Sequence, residues 1–215
     1  MLEDLFGRPA APEGSPLILF VCTGNICRSP LAEKLLRERL EQFDPTNRIE
    51  VASAGLHAVV GAPMEPEPAA IGERHGGVMA HEARQLTAAI ARRASVILTM
   101  TKAQRAELSQ EFPFALKRTF TLVEFVRLLA EVPDKVAPPS AQNGRTLFDT
   151  SLDASRYRGS VVAHPTDDIE DPYRRSAETH ERVGERIVTL ADELAAQLTG
   201  KSGGTAQDAG PPTAR

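Results

Sequence analysis

The chain has 215 residues, of which 41% are hydrophobic and 25% charged, and its formal net charge is -4. This length and composition allow one buried domain and are atypical of a disordered chain. The acidic balance excludes the strongly basic surface that non-specific nucleic-acid binding requires, so we expect no nucleic-acid partner. Two cysteines are too few for a disulfide scaffold or a four-cysteine zinc site.

The two ends of the chain differ in composition from its middle. Residues 1–15 predict a flexible lead-in, and residues 199–215, rich in Gly, Ala and Pro, predict a disordered tail. The predicted domain therefore spans residues 16–198. The N-terminus is acidic where a signal peptide is basic, and no apolar run approaches the roughly 20 residues that cross a bilayer. We expect a cytoplasmic protein without membrane insertion.

Apolar runs and helical stripes alternate along the first two thirds of the chain. The sequence predicts strands at residues 17–21, 49–53, 95–100 and 118–120. It predicts helices that begin at Ser29-Pro30, with Ser29 as N-cap, and at the Thr121–Glu124 capping box, and others over residues 66–75, 102–110 and 172–198. This alternation predicts an α/β sheet covered on both faces.

Residues 131–166 break the alternation of strands and helices. Four prolines fall in this stretch, and compact domains seldom contain loops longer than about 15 residues unless these are functional or disordered. The sequence predicts a long surface loop that carries the chain to Asp171.

The first predicted strand runs into the segment Cys22-Thr23-Gly24-Asn25-Ile26-Cys27-Arg28-Ser29-Pro30. Backbone N–H groups of a tight loop at a helix N-terminus converge on an anion, so we expect residues 23–29 to bind phosphate. Arg28 can hold two phosphate oxygens with its planar fork. The same field stabilises the thiolate of Cys22, which is then a candidate nucleophile for attack on phosphorus.

Individual side chains of this segment suit such a loop. Gly24 and Asn25 are residue types that tolerate the positive φ angles of a tight turn. The Ser29 hydroxyl can donate a hydrogen bond to the thiolate. Cys27 has two open interpretations, either a partner that traps oxidised Cys22 as a disulfide or an inert buried thiol.

The loop resembles the signature of the low-molecular-weight protein-tyrosine phosphatases. Other matches follow in the family's order at residues 53–55, 81–87 and 171–173, so the resemblance covers about residues 17–198. It implies a four-stranded parallel sheet with helices on both faces. It also implies phosphotyrosine hydrolysis through a cysteinyl-phosphate intermediate, without a cofactor.

The resemblance implies roles for residues outside the loop. Asp171 matches the general acid that protonates the leaving phenolate, although Asp167, Asp168 and Glu170 are acidic neighbours. Tyr173 matches an aromatic residue at the mouth of the pocket. Two further matches, Ser53 and His81, belong with Asn25 to a network that braces the loop. The other histidines show no metal-ligand grouping, and we assign no metal.

Three other activities stay open at this point. They are thiol-dependent arsenate reduction on the same fold, phosphotyrosine binding without catalysis, and hydrolysis of small metabolites or phosphorylated arginine. Residues 53–61 lack the aromatic wall of the eukaryotic members and are similar to bacterial ones. By analogy with these, the partner is a phosphotyrosine protein, with a bacterial tyrosine kinase as the first candidate.

Overall fold

One parallel sheet forms the centre of the protein, whose computed structural model describes residues 10–43, 48–140, 145–160 and 167–200. Its strands lie in the order β2-β1-β3-β4, and they are β1 (Leu17–Cys22), β2 (Glu50–Gly55), β3 (Val96–Thr99) and β4 (Thr119–Thr121). The α-helices in the described residues are α1 (Arg28–Phe43), α2 (Pro66–Arg74), α3 (Ala88–Arg93), α4 (Lys102–Glu111), α5 (Leu122–Glu131), α6 (Leu147–Tyr157) and α7 (Ala177–Thr199). Short 3₁₀ segments occupy Pro113–Arg118 and Arg158–Ser160. The predicted α/β class is confirmed.

The central strand β1 is buried on both faces of the sheet. Ile18 and Phe20 belong to a core shared with α1, α5 and α7. Leu19 and Val21 point to the opposite face and pack with residues of α3 and α4. Because successive side chains of a strand alternate between faces, a continuous apolar run is the pattern that a doubly covered strand requires.

The edge strands β2 and β4 present backbone carbonyl groups on their outer sides. Arginine side chains donate hydrogen bonds to three of these carbonyls, Arg37 to Val51 at 2.6 Å, Arg84 to Ser53 at 2.7 Å and Arg158 to Thr119 at 2.6 Å. Both edges of the sheet are therefore bonded to side chains of neighbouring elements.

Two predicted helix starts are wrong. Helix α1 begins at Arg28, so Ser29 lies inside its first turn and is not the N-cap. Helix α7 begins at Ala177, where the Ser176 hydroxyl accepts a hydrogen bond from the Thr179 amide. Arg174 has a φ of 59°, outside the right-handed helical region, and this conformation prevents a helix from starting at residue 172.

The predicted loop over residues 131–166 is also wrong in part, because it contains helix α6. Thr146 and Asp149 form a capping box at its start, and Leu147 and Phe148 are buried beneath it. The prolines that suggested a loop flank this helix and do not interrupt it. The six-residue helix α3 was not predicted, since it is too short to show a helical stripe.

The predictions for the chain ends fall mostly on residues 1–9 and 201–215, which lie outside the described residues. Among the helices that the structure does describe, none combines the length and apolar character needed to cross a membrane.

Candidate active site

In the loop between β1 and α1, the backbone carbonyl groups all accept hydrogen bonds on the outer face. Each carbonyl oxygen from Cys22 to Cys27 accepts a hydrogen bond. The donors are the amides of Leu56, His57, Val59, Glu65 and Leu31 and the imidazole of His81, at 2.7–3.3 Å. The outer face of the loop is therefore held by the segment that follows β2 and by the start of α1.

The amides of residues 23–27, in contrast, donate to no other group in the described part of the chain. The N–H and C=O of a peptide unit point in opposite directions, so these amides face the inner side of the loop. They lie next to the N-terminus of α1, whose dipole favours an anion at the same place. The arrangement forms a cradle that suits an anion, and phosphate binding by this loop stays a prediction.

Backbone geometry in the loop depends on one residue with a positive φ. Asn25 adopts a φ of 56°, as expected, whereas Gly24 does not have the positive φ that its residue type suggested. The glycine that the loop needs is Gly55, where an added Cβ would lie 2.5 Å from the Thr23 carbonyl oxygen. This close approach lets the residues after β2 reach the back of the loop.

Cys22 is the first member of a buried chain of hydrogen bonds. Its Sγ lies 3.0 Å from the Ser29 hydroxyl, and the Asn25 amide group donates to both Ser29 and Ser53 at 2.9 Å. The Ser53 hydroxyl then donates to the buried carboxylate of Glu33 at 2.6 Å. Once Cys22 is ionised its sulfur can only accept, so the Ser29 hydroxyl then donates to the thiolate.

Asn25 is held by two further contacts. Its carbonyl oxygen lies 2.7 Å from His81 Nε2, and its side-chain oxygen accepts from the Arg84 amide at 2.9 Å. Since a carbonyl only accepts, Nε2 carries the proton in this contact. Burial lowers the pKa of His81 below its ordinary value, so the imidazole is neutral at neutral pH. The predicted bracing residues Asn25, Ser53 and His81 thus all meet at the loop.

Arg28 is 3% exposed and turns toward the segment that precedes α7. One terminal nitrogen donates to the Ile169 carbonyl at 3.0 Å, and the other forms a salt bridge with Asp171 at 2.7 Å. Its Nε is buried and has no partner among the described residues. This N–H is a free donor beside the loop amides, where it can bind a phosphate oxygen.

The four acidic residues before α7 have different partners. Asp167 is buried and pairs with Arg127 at 3.0 Å and Lys102 at 3.3 Å, and Asp168 accepts from the Lys102 amide at 2.7 Å. Glu170 pairs with Arg182 on the surface. Asp171 alone among the four contacts Arg28, and half of its side chain is exposed. The geometry therefore favours Asp171 as the acid of this site.

Val59 and Tyr173 are exposed apolar side chains, 49% and 42% accessible. Val59 lies against the loop, because its amide donates to the Gly24 carbonyl at 3.0 Å. Tyr173 follows Asp171 by two residues, and the Arg174 guanidinium lies 5.1 Å from the centre of its ring. Its place at the mouth of the pocket stays a prediction.

Cys27 is buried within the loop, with Cys22 close enough to affect its pKa. It packs in a small buried cluster with Ile26 and Ala83. Burial, with a smaller contribution from Cys22, raises the pKa of Cys27 to about 12, so it is a thiol at neutral pH. This environment favours the inert-thiol interpretation over disulfide formation with Cys22.

Sequence reasoning missed three polar residues that complete the site. They are Glu33 and Arg84, described above, and Gln104, whose side chain donates to the Thr23 hydroxyl at 3.0 Å. The sequence position of Glu33 could have indicated its role. It lies four residues after Ser29 and three before Leu36, on the apolar stripe of α1. A carboxylate in that stripe indicates a buried acceptor.

Known proteins resemble this chain in sequence. A family model described as low molecular weight phosphotyrosine protein phosphatase matches residues 17–156, which include the loop but not Asp171. The probable low molecular weight protein-tyrosine-phosphatase EpsP of Ralstonia solanacearum is 33% identical over 138 residues, 64% of this chain and 91% of the relative.

Two other similar proteins align over more of the chain. The low molecular weight protein-tyrosine-phosphatase Wzb of Salmonella typhimurium is 31% identical over 187 residues, 86% of this chain and 96% of Wzb. The solved structure of the YwlE arginine phosphatase from Geobacillus stearothermophilus has a TM-score of 0.63 and 28% identity, covering 86% of this chain and 94% of that one. The chain belongs to the low-molecular-weight phosphotyrosine protein phosphatase family.

Proposed function

We propose that this enzyme hydrolyses phosphotyrosine in proteins, with Cys22 as nucleophile, Arg28 as phosphate ligand and Asp171 as general acid. The observation that carries the proposal is the loop itself, whose carbonyls are all bonded outward while the amides of residues 23–27 have no partner among the described residues. Such a cradle suits a phosphate dianion and a thiolate together.

In the first step, the Cys22 thiolate attacks phosphorus, and the bond between phosphorus and the phenolic oxygen breaks. Asp171, in its protonated form, gives its proton to the departing phenolate, which is otherwise a poor leaving group. Arg28 and the loop amides stabilise the negative charge on the equatorial oxygens. The products of this step are tyrosine and a cysteinyl-phosphate.

In the second step, a water molecule attacks the phosphorus of the cysteinyl-phosphate, and Asp171 now accepts the proton of that water. The sulfur–phosphorus bond breaks, which releases inorganic phosphate and regenerates the thiolate. The Ser29 hydroxyl, 3.0 Å from Sγ, stabilises this leaving thiolate.

Phosphate release from a phosphotyrosine peptide tests the proposal, with a phosphoserine peptide of the same sequence beside it. We expect hydrolysis of the phosphotyrosine peptide alone, and its loss in Cys22→Ala. Thiol-dependent reduction of arsenate, measured in parallel and without any phosphatase activity, would replace the proposal with redox chemistry at Cys22.

Phosphoarginine is the second candidate substrate, because a protein-arginine-phosphatase of Geobacillus stearothermophilus is 29% identical over 181 residues. Val59, which lies against the loop, and Tyr173, which the family resemblance assigns to the mouth of the pocket, favour an aromatic substrate over a guanidinium one. A phosphoarginine peptide in the same assay decides between them. A higher kcat/KM for that peptide would reverse our assignment.

The cellular substrate is proposed at a coarser level. The family resemblance supports a cytoplasmic phosphotyrosine protein, and a bacterial tyrosine kinase is the first candidate. Capture with Cys22→Ser, followed by elution with phosphate, tests this idea. Failure to retain any phosphotyrosine protein from cells that contain such a kinase would count against it.

A further inference from the structure

A second group of cationic side chains lies at the end of the sheet opposite to Cys22. Arg118 immediately precedes β4, and Arg92 and Arg93 end α3 just before β3. The strands are parallel, so these arginines are at their amino ends, whereas Cys22 is at the carboxyl end of β1. A six-residue strand rises about 3.3 Å per residue, which separates the two ends by roughly 20 Å.

A cavity of about 590 Å³ opens beside these arginines. Its other walls are Phe114 and residues 10–13, which run along the surface before β1. This volume lies within the range of about 300–1,000 Å³ that is usual for small-molecule sites. The residues of the phosphatase site do not line it.

Arg118 carries a buried charge without an acidic partner in the described part of the chain. It is 8% exposed, and one terminal nitrogen donates to the Ala91 carbonyl at 3.2 Å. Its Nε is buried and unpaired. Burial and, to a smaller extent, the nearby Arg92 lower the pKa of Arg118. A buried cation in this state is unfavourable until an anion binds to it.

The neighbouring side chains do not neutralise this charge. Arg93 is already paired with Glu50 at 2.8 Å and with the Ser15 carbonyl at 2.6 Å. Glu13 lines the cavity, but its exposed side chain forms no salt bridge with the arginines. The local balance around Arg118 and Arg92 is therefore positive.

The cavity also has a flat apolar surface. Phe114 is 44% exposed, and the Arg92 guanidinium lies 4.2 Å from the centre of its ring. This stacking keeps one cation over the ring while Arg118 lies deeper in the wall. An anionic group and an aromatic group of one ligand can thus be bound side by side.

We propose that this cavity is a second ligand site, which takes a small organic anion with an aryl or similarly flat apolar group. The phosphate, sulfonate or carboxylate of the ligand pairs with Arg118 and Arg92, and its flat group lies against Phe114. The site is separate from the loop at Cys22 and does not depend on the phosphatase reaction.

Naphthalene-1-sulfonate is a suitable probe because it combines the two features and contains no phosphate ester. Titrated into the full chain, it should shift the backbone amide resonances of residues 88–93 and 114–119. Shifts confined to residues 22–28 would mean that the probe binds only at the phosphatase site, and the proposal would be wrong.

Arg118→Met removes the charge while keeping a long apolar side chain. We expect at least tenfold weaker probe binding, with phosphotyrosine hydrolysis retained. Lys117→Met removes a charge from the exposed adjacent position and should bind the probe like the unmodified chain. Arg92→Met, at an exposed position, gives a second test should Arg118→Met fail to fold. Unchanged affinity in Arg92→Met would overturn the proposal.

The acidic residues Glu3 and Asp4 precede the cavity-lining segment in sequence. Their carboxylates are therefore the alternative to a free ligand as the anion that pairs with the arginines. The double variant Glu3→Gln with Asp4→Asn separates this source from a free ligand. Unchanged probe affinity supports a site for a free anion. A gain of tenfold or more would show that the chain's own carboxylates compete for the arginines, and the assignment of the cavity to a free ligand in the unmodified chain would be wrong.

Discussion

The two segments that form the phosphatase site are built in opposite ways. Residues 22–27 are a continuous loop, mostly buried, whose carbonyl groups are bonded by α1, His81 and the residues after β2. Residues 167–173 come from the far part of the chain and reach the site through a few contacts, of which the Arg28–Asp171 salt bridge is the last. The first segment, the cradle, is a preorganised loop. The second segment, residues 167–173, is an arm that side-chain contacts hold against it.

This difference separates the two tasks of the reaction. Binding phosphate and stabilising a thiolate require preorganised dipoles, which a braced loop supplies without rearrangement. Delivering a proton and later taking one from water requires an exposed carboxyl group that can meet both the leaving group and the solvent. Asp171 is half exposed, in agreement with that role, while Cys22 is 2% exposed.

The largest effect should come from the cradle. Cys22→Ser removes the nucleophile while keeping a hydroxyl in its place, and we expect kcat to fall by roughly 10⁴-fold or more. Steady-state hydrolysis of a phosphotyrosine peptide measures this. Cys27→Ala is the matched control, because its thiol is buried in a small apolar cluster and stays protonated, and it should lose less than about tenfold. Equal losses in both variants would contradict the assignment of Cys22.

Arg28→Lys tests the geometry of the charge while keeping the charge itself. Lysine cannot make two parallel hydrogen bonds, so we expect a loss of roughly 10²–10³-fold in kcat/KM. The affinity for inorganic phosphate, measured as a competitive inhibition constant, should weaken as well. Arg39→Lys changes an arginine that pairs with Asp192 on α7, and it should hydrolyse the peptide like the unmodified enzyme.

Asp171→Asn tests the arm, and its effect should depend on the leaving group. We expect a loss of roughly 10²–10⁴-fold with phosphotyrosine, because its phenolate needs the proton. With an aryl phosphate whose phenol is much more acidic, the loss should be clearly smaller. A loss of the same size for both substrates would show that Asp171 acts through Arg28 and not as the acid.

Asp167→Asn weakens the attachment of the arm without touching the reacting groups. Its buried carboxylate pairs with Arg127 and Lys102, so its neutralisation should misplace Asp171 and lower kcat by about tenfold. The loss should again be greater for the poorer leaving group. Glu170→Gln, which breaks a surface pair, is the control, since exposed pairs contribute little.

The smallest effect concerns the bracing of the loop by His81. Its pKa is lowered in the folded state, so the unfolded chain binds a proton more readily as the pH falls through 6.5. The stability of the protein should therefore decrease in acid until the folded form is protonated too. His81→Gln removes this pH-dependent component. On acidification its melting temperature should therefore fall less than that of the unmodified protein, and the two decreases should differ by no more than about 3 °C. Parallel thermal melts of the two proteins, from neutral pH downward, measure it.

The same contrast explains what could be predicted from the sequence. The cradle was predictable because its residues are contiguous and follow an apolar strand, so spacing alone indicates the chemistry. The attachment of the arm was not, since Asp167, Lys102 and Arg127 are far apart in the chain and an ordinary surface charge looks the same. Helix α6 was hidden by the prolines around it, although its capping box at Thr146 and Asp149 was a readable signal.

The arginines at the edges of the sheet have a consequence for the behaviour of the protein at high concentration. An added strand from another molecule needs free carbonyl groups along β2 or β4. On β2 it meets Arg37 and Arg84, and on β4 it meets Arg158, each already bonded to an outer carbonyl and each charged. Pairing from outside would have to displace these groups and bury their charge. The guanidinium groups thereby oppose growth of the sheet beyond four strands and guard against edge-to-edge aggregation.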